Sequence, residues 1–172
     1  MKATEVNYLK FLEGTKQFTV PIYQRTYSWT IKQCEQLWND LVRVGREDDV
    51  PAHFIGSIVY IESGLYQVSS VSQLLVIDGQ QRLTTLSLLL AAISESLKDG
   101  ASVGGLTQSK IKNYYLLNSE EVGDLAYKLK LTQSDKDTFW RLIQGTALPN
   151  QISLRVQENY NYFINKLCIC LR

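Results

Sequence analysis

Residues 78–82, which read Asp-Gly-Gln-Gln-Arg, combine side-chain types suited to phosphate chemistry. They follow an apolar run at residues 74–77 and precede a long, largely apolar segment. Glycine lets a backbone approach a ligand closely, and free amides at a helix N-terminus favour an anion together with the helix dipole. Arg82 adds a guanidinium that can bind a phosphate through two hydrogen bonds. The pattern predicts a strand, a tight turn and a helix start that form an anion site.

The polar residues around this turn have further predicted roles. A carboxylate at the end of a strand, such as Asp78, contacts a divalent metal ion or orients a water when phosphates are bound. The hydroxyls of Thr84 and Thr85 are candidate phosphate donors or metal neighbours. A plainer interpretation stays open, because strand-to-helix turns are common: Asp78 caps the helix, and the three residues after the glycine form a solvated first turn.

A second candidate region is the loop at residues 21–29, which reads PIYQRTYSW. Its mixture of aromatic and hydrogen-bonding groups suits stacking on a base combined with contact to a phosphate or sugar. Tyr23, Gln24 and Arg25 are the candidate contacts, whereas Trp29 is interpreted as structural. The alternative is that the aromatic rings pack on the core and Arg25 forms a structural ion pair.

His53, Gly56 and Ser57 form a third candidate group at the start of a segment rich in branched residues. A histidine can polarise a phosphate or act as an acid or base near neutral pH. The glycine and serine permit close packing or approach of the backbone to a ligand. The alternative for His53 is a hydrogen-bonded structural histidine.

The elements that must position these residues follow from periodicity, caps and turn residues. Thr30 and Gln33 make a capping box, residues 62–73 form an irregular excursion, and residues 101–106 form a glycine-rich loop. The last helix shows no stop signal, so we expect the natural protein to continue beyond Arg172. Helices are predicted over residues 5–12, 31–45, 82–98, 107–117, 134–145 and 153–172, and strands over 18–20, 53–61, 74–77 and 127–131.

The composition is that of an ordinary globular domain. The chain has 172 residues, is 45% hydrophobic and carries a net charge of +1. It lacks the strong basic excess that non-specific nucleic-acid binders use to neutralise phosphates, although a local basic patch stays possible. Cys34, Cys168 and Cys170 have no metal-ligand spacing and are interpreted as reduced, packed cysteines. The N-terminus does not fit a signal peptide, and the longest apolar stretch is far shorter than a membrane span, so a cytoplasmic location without a membrane partner is expected.

Three stretches together carry a resemblance to a known family: residues 21–29, residues 53–59 and residues 77–86. In this order they resemble the DGQQR family, the N-terminal domain of GmrSD-type modification-dependent restriction proteins. The segments around residues 128–135 and 160–163 are also similar to that family, so the resemblance covers most of the chain. The family motifs fall on Asp78, Gly79, Gln80, Gln81 and Arg82, on Tyr23, Gln24, Arg25, Tyr27 and Trp29, and on His53, Gly56 and Ser57.

The resemblance implies a mixed α/β (α+β) fold with a small sheet like that of the ParB and sulfiredoxin group and a helical C-terminal part. Residues 1–100 would form the nucleotide-binding core, and residues 101–172 its helical continuation. It also implies binding of a nucleoside triphosphate, GTP or ATP, with Mg²⁺. Hydrolysis would regulate the cleavage of DNA by a separate nuclease domain.

In the implied mechanism Arg82 and the first helical amides hold the phosphates, Asp78 contacts metal or water, and Arg25 approaches the ligand. Gln80 or Gln81 orients the attacking water, and the sequence does not rank the two. Members of the family often carry an HNH-type nuclease domain. This chain has a single histidine, so the nuclease is expected further along the natural chain or on a partner.

Several other functions are disfavoured by missing motifs. Residues 104–110 are glycine-rich but lack the glycine before lysine of a Walker A sequence, and no dinucleotide-binding fingerprint is present. Residues 78–82 lack the cysteine that sulfiredoxin chemistry requires. Two alternatives stay open: a module that grips DNA phosphates or modified DNA without hydrolysis, and a purely structural interaction domain.

Overall fold

The computed structural model describes residues 4–47, 49, 52–62 and 71–170, with the side chains of residues 99, 134 and 170 excepted. The elements along the chain are α1 (Tyr8–Leu12), β1 (Lys16–Thr19), α2 (Ile31–Val44), β2 (Val59–Glu62), β3 (Ser72–Asp78), α3 (Gln80–Ser96), β4 (Ser102–Val103), β5 (Leu106–Thr107), α4 (Gln108–Ile111), β6 (Leu129–Lys130), α5 (Gln133–Gln144) and α6 (Leu154–Cys170). A π-helical turn, Lys112–Leu116, continues α4. These elements confirm the predicted mixed α/β class with a helical C-terminal part.

A four-stranded mixed sheet has the order β2-β3-β1-β6. β1 is parallel to β3 and to β6, so Phe18 is aligned with Leu74 on one side and with Leu129 on the other. β2 is antiparallel to β3. Phe18 is fully buried, and core residues come from both sides of the boundary predicted at residue 100. The sheet therefore draws the C-terminal part of the chain into the same core as the predicted site.

The long helix α3 lies directly behind the predicted anion site. It is apolar on nearly all sides, and 12 of its residues are buried. A helix of this kind is stable only when other elements cover it. α6 is its main packing partner, and α4 and α5 also contact it. The packing fixes the position of the α3 N-terminus relative to the rest of the molecule.

Some helix ends follow the predictions and others do not: α3, for example, spans residues 80–96 and not 82–98. The Gln33 Oε1 accepts from the Thr30 amide at 2.8 Å, which confirms the capping box, and α2 ends at Gly45 as predicted. α1 begins at Tyr8 and not at residue 5, because the Asn7 side chain caps it. α5 begins at Gln133, with Thr132 at the N-cap position, and not at residue 134 as predicted.

Several extended or loop segments differ from the prediction. Only the end of the predicted strand at 53–61 is paired, as β2, because Gly56 has a φ of +95° that interrupts the extended backbone. Residues 101–106 contribute to a short hairpin of β4 and β5. Of the excursion predicted at 62–73, residues 63–70 lie outside the described residues.

Two further observations concern cysteines and membranes. Cys34 is buried as predicted, whereas Cys168 is exposed on α6, and both are free thiols. Among the described residues, no helix has the length and apolar character needed to cross a membrane.

Candidate functional site

The predicted strand, turn and helix start are present at residues 72–96. β3 ends at Asp78, Gly79 is the N-cap residue with a φ of +90°, and α3 begins at Gln80. A Cβ atom on Gly79 would lie 2.7 Å from the carbonyl oxygen of Ser57. Glycine is therefore needed both for the left-handed conformation and for the close approach of the Ser57 backbone.

Asp78 does not cap the helix. Gly79 occupies the N-cap position, and no side chain of the described residues caps α3 by a hydrogen bond. The Asp78 side chain is 69% exposed, and its Oδ2 lies 3.5 Å from the Nη2 of Arg82. The Asp78 carboxylate therefore remains accessible to a ligand or a metal ion. The interpretation that Asp78 caps the helix is wrong.

Arg82 has an unusual environment at the start of α3. Its Nη2 donates a hydrogen bond to the carbonyl of Ser57 at 2.9 Å, whereas its buried Nε has no hydrogen-bond partner among the described residues. Gly56 makes room for this side chain, because a Cβ there would lie 2.9 Å from the Nε. A buried guanidinium nitrogen without a partner is costly, and a bound anion would supply the missing acceptor if the side chain turned away from Gly56.

The two glutamines of the turn have different surroundings. Gln81 is buried, its Oε1 accepts from the amides of Ser28 at 2.8 Å and Trp29 at 3.2 Å, and its Nε2 donates to the carbonyl of Thr26 at 3.2 Å. Gln80 is half-buried, and its side chain makes one exposed hydrogen bond among the residues described, to the carbonyl of Arg25. The structure therefore distinguishes residues that the sequence did not rank: Gln81 fastens the aromatic loop, and Gln80 has an amide oxygen left for a ligand.

Thr84 and Thr85 are almost inaccessible. Each hydroxyl donates to the carbonyl one turn earlier, from Thr84 to Gln80 and from Thr85 to Gln81, both at 2.8 Å. Contact between these hydroxyls and a phosphate stays a prediction, and it would require the first turn of α3 to rearrange.

The loop at residues 21–29 lies over the end of β3. The Gln24 Nε2 donates to the carbonyls of Val76 at 2.7 Å and Ile77 at 2.9 Å, which fixes the loop beside the turn. Tyr23 and Arg25 are exposed at this position. Gln24 thus has a structural role here, while the side chains on either side of it are accessible.

Buried polar residues far along the chain hold the same loop. The Asn159 Nδ2 donates to the Tyr27 hydroxyl and to the Trp29 carbonyl, each at 2.8 Å, and the Asp135 Oδ2 accepts from the Tyr27 amide at 2.6 Å. Burial raises the pKa of Tyr27 well above its ordinary value. Sequence reasoning missed Asn159, and it included Asp135 only in the segment around residues 128–135 that is similar to the family, without a role. The available signal was an asparagine beside apolar residues in the last helix.

A cleft of about 260 Å³, which we call the α2 cleft, separates α2 from residues 53–55. Arg82 and His53 both line it, and the His53 Nε2 lies 3.8 Å from the Oδ2 of Asp40. Asp78 and Arg25 do not line it. Arg82 thus contacts Asp78 at the turn and also forms part of the α2 cleft.

The residues present fit Mg²⁺ only with help from a ligand. Among the described residues, no group of three or more histidine, cysteine or acidic side chains could hold a metal ion. Mg²⁺ is commonly held by one or two carboxylates together with substrate phosphates and waters. The exposed Asp78 carboxylate suits this arrangement when a phosphate is bound beside it.

Comparison with known proteins agrees with the three motifs. The family model described as the N-terminal domain of the GmrSD restriction endonuclease matches residues 8–169, nearly the whole chain. No curated protein sequence matches the chain significantly. The chain therefore belongs to the family of GmrSD restriction endonuclease N-terminal domains, which are parts of restriction and phage-defence proteins.

Proposed function

We propose that this domain binds a nucleoside triphosphate with Mg²⁺ and hydrolyses it, and that this reaction regulates a nuclease domain of the restriction protein. The observation that carries the proposal is the environment of Arg82 at the start of α3. Within the part of the chain that the structure describes, its buried Nε has no partner, and the first amides of a helix have no acceptor within the helix. Both features favour a phosphate at this place.

The present partners of Arg82 would compete weakly with a phosphate. One is the neutral carbonyl of Ser57, and the other is the exposed carboxylate of Asp78 at 3.5 Å. Charge-assisted hydrogen bonds between a guanidinium and a phosphate are stronger than bonds to a neutral carbonyl. Arg82 can therefore turn toward a bound phosphate without leaving a buried ion pair broken.

The remaining roles follow from accessibility. Asp78 would hold Mg²⁺ together with the phosphates, and the ion would neutralise phosphate charge. Gln80 would orient the attacking water, because Gln81 already uses both ends of its amide to hold the loop. Arg25 is exposed beside Gln80 and would approach the phosphates from the aromatic loop.

Release of phosphate by the purified 172-residue chain tests the proposal. We expect Mg²⁺-dependent release from a nucleoside triphosphate, measured with and without DNA. Binding of the triphosphate without release of phosphate would contradict the hydrolysis step of the proposal and leave the binding step. Binding of DNA without any binding of triphosphate would favour the rival function, in which the same turn grips a DNA phosphate.

A further inference from the structure

The α2 cleft holds features that the phosphate site does not explain. Phe54 lies at the cleft with 81% of its surface exposed. Trp29 lines the same space and is half-buried. Exposed aromatic rings that border a cleft provide faces on which a planar group can stack.

The polar lining of the cleft suits the edge of such a group. The Asp40 side chain is 30% exposed, and its closest ionic contacts, to His53 and Arg43, are long at 3.8 Å and 3.9 Å. An ionised carboxylate accepts hydrogen bonds only, whereas the nearby Gln36 amide both donates and accepts. Together these groups can hydrogen-bond to a base that presents N–H groups and acceptors along one edge.

Arg82 connects this cleft to the phosphate site. Arg82 lines the cleft, and its Nη2 lies 3.5 Å from the Oδ2 of Asp78 at the turn. The cleft volume, about 260 Å³, is below the roughly 300–1,000 Å³ of sites for whole drug-sized ligands. Its size therefore suits one part of a nucleotide, with the phosphates outside it.

We propose that the α2 cleft binds the base of the nucleoside triphosphate, with Phe54 stacking on the base and Asp40 facing its hydrogen-bonding edge. This inference rests on the proposed function, since it assigns the base of the same ligand. It differs from the sequence-based expectation that the base stacks on the loop that carries Tyr23. Asp40, outside the three family stretches, and Phe54, to which the stretch at residues 53–59 assigned no role, become specificity-determining residues.

Isothermal titration of the 172-residue chain with nucleoside triphosphates and with inorganic tripolyphosphate, each with Mg²⁺, tests the assignment. Phe54→Ala should weaken triphosphate binding by about tenfold and leave tripolyphosphate affinity unchanged, because only the former carries a base. Tyr114→Ala is the matched control, since Tyr114 is also an exposed aromatic residue (56% exposed) and does not line the cleft. It should change neither affinity.

Asp40→Asn provides the second arm. It keeps the shape of the side chain and replaces one acceptor by a donor, so the ranking of the four common nucleoside triphosphates should change while tripolyphosphate affinity stays within about twofold. An unchanged ranking would overturn the assignment.

The remaining outcomes separate this inference from the proposed function. A loss of triphosphate affinity in Tyr23→Ala but not in Phe54→Ala would place the base on the loop and overturn the inference alone. Equal losses of both ligands in Phe54→Ala would show a structural effect and overturn it as well. If the unaltered chain binds neither ligand, the proposed function and the inference both fail.

Discussion

At the scale of single residues, Arg82 is the side chain on which the site depends. It approaches the Gly56 backbone, donates to Ser57 and contacts Asp78. These contacts hold the guanidinium at the start of α3 before any ligand arrives. A bound phosphate would replace the contact with the Ser57 carbonyl, and Arg82 reaches it by a local turn of its side chain.

Arg82→Ala should lower triphosphate affinity by about 10–100-fold, because one charge-assisted hydrogen-bonding group is lost. Stability should fall by only about 1 kcal/mol, since one hydrogen bond to Ser57 is removed and alanine suits a helix. Calorimetric titration and chemical unfolding measure the two effects. Arg155→Ala, which removes an exposed arginine paired with Glu158, is the control. Unchanged affinity together with a large loss of stability would make Arg82 a scaffold residue.

Asp78→Asn separates hydrolysis from binding. The carboxylate is exposed and caps nothing, so the free energy of unfolding should change by less than about 0.5 kcal/mol. Asparagine is a poorer Mg²⁺ ligand, and phosphate release should fall by at least about tenfold, more than affinity falls. Phosphate-release kinetics at several Mg²⁺ concentrations measure this effect. Wild-type rates at every concentration would exclude Asp78 as a metal ligand.

At the scale of elements, the turn between β3 and α3 is held by a close contact with the chain at residues 57–58. Gly79→Ala should destabilise the protein by about 2–4 kcal/mol, because it combines left-handed strain with a Cβ 2.7 Å from the Ser57 oxygen. Gly100→Ala is a matched control, since Gly100 has a φ of +85° and open space around it. It should cost only about 1–2 kcal/mol. Denaturant unfolding compares them, and equal costs would show that the contact is unimportant.

The aromatic loop depends on α3 through Gln81. Gln81→Ala should reduce stability by about 1–3 kcal/mol, because the amides of Ser28 and Trp29 lose their acceptor. Gln80→Ala should leave stability within about 0.5 kcal/mol and slow phosphate release by about 10–100-fold. Unfolding and kinetic measurements on both variants test the distinction. Slower phosphate release in Gln81→Ala without a loss of stability, together with normal release in Gln80→Ala, would instead assign the water-orienting role to Gln81.

At the scale of the whole molecule, Lys128 fastens the C-terminal part of the chain to the N-terminal part. It is buried, and its Nζ donates to the Gly14 carbonyl at 2.5 Å and to the Asn118 Oδ1 at 3.1 Å. Burial, with a smaller contribution from the charge of Lys16, lowers the pKa of Lys128 to about 8. Burial of the charged ammonium of Lys128 therefore lowers the free energy of unfolding in neutral solution.

The lowered pKa of Lys128 predicts that the stability of the protein depends on pH. Between pH 8 and 10.5 the folded Lys128 has released a proton that the unfolded chain still binds, so its contribution to the free energy of unfolding becomes more favourable as pH rises. The free energy of unfolding of the wild type minus that of Lys128→Met should therefore increase from pH 8 toward pH 10. Tyrosines with raised pKa values act in the opposite direction, but they are common to both proteins and cancel. Parallel stability curves for the two proteins would contradict the prediction.

The sequence by itself determined the local features of this protein. The strand, glycine turn and helix at residues 74–96, the Thr30 and Gln33 capping box and the glycine ends of α2 and α5 depend on residues a few positions apart. Periodicity and turn chemistry therefore indicate them directly. The three family stretches, which are also local sequence patterns, indicated the family to which the domain belongs.

Only the tertiary structure decided which polar groups the fold uses and which it leaves accessible. The bond from Asn159 to Tyr27 spans 132 positions, and that from Tyr27 to Asp135 spans 108. Gln80 and Gln81 are adjacent and identical in type, yet the packing of the loop engages both ends of one amide and leaves the oxygen of the other available. The α2 cleft likewise arises where α2, α3 and residues 53–55 meet. These differences depend on packing between distant segments, because burial and hydrogen-bond partners are properties of the folded chain and not of local residue patterns.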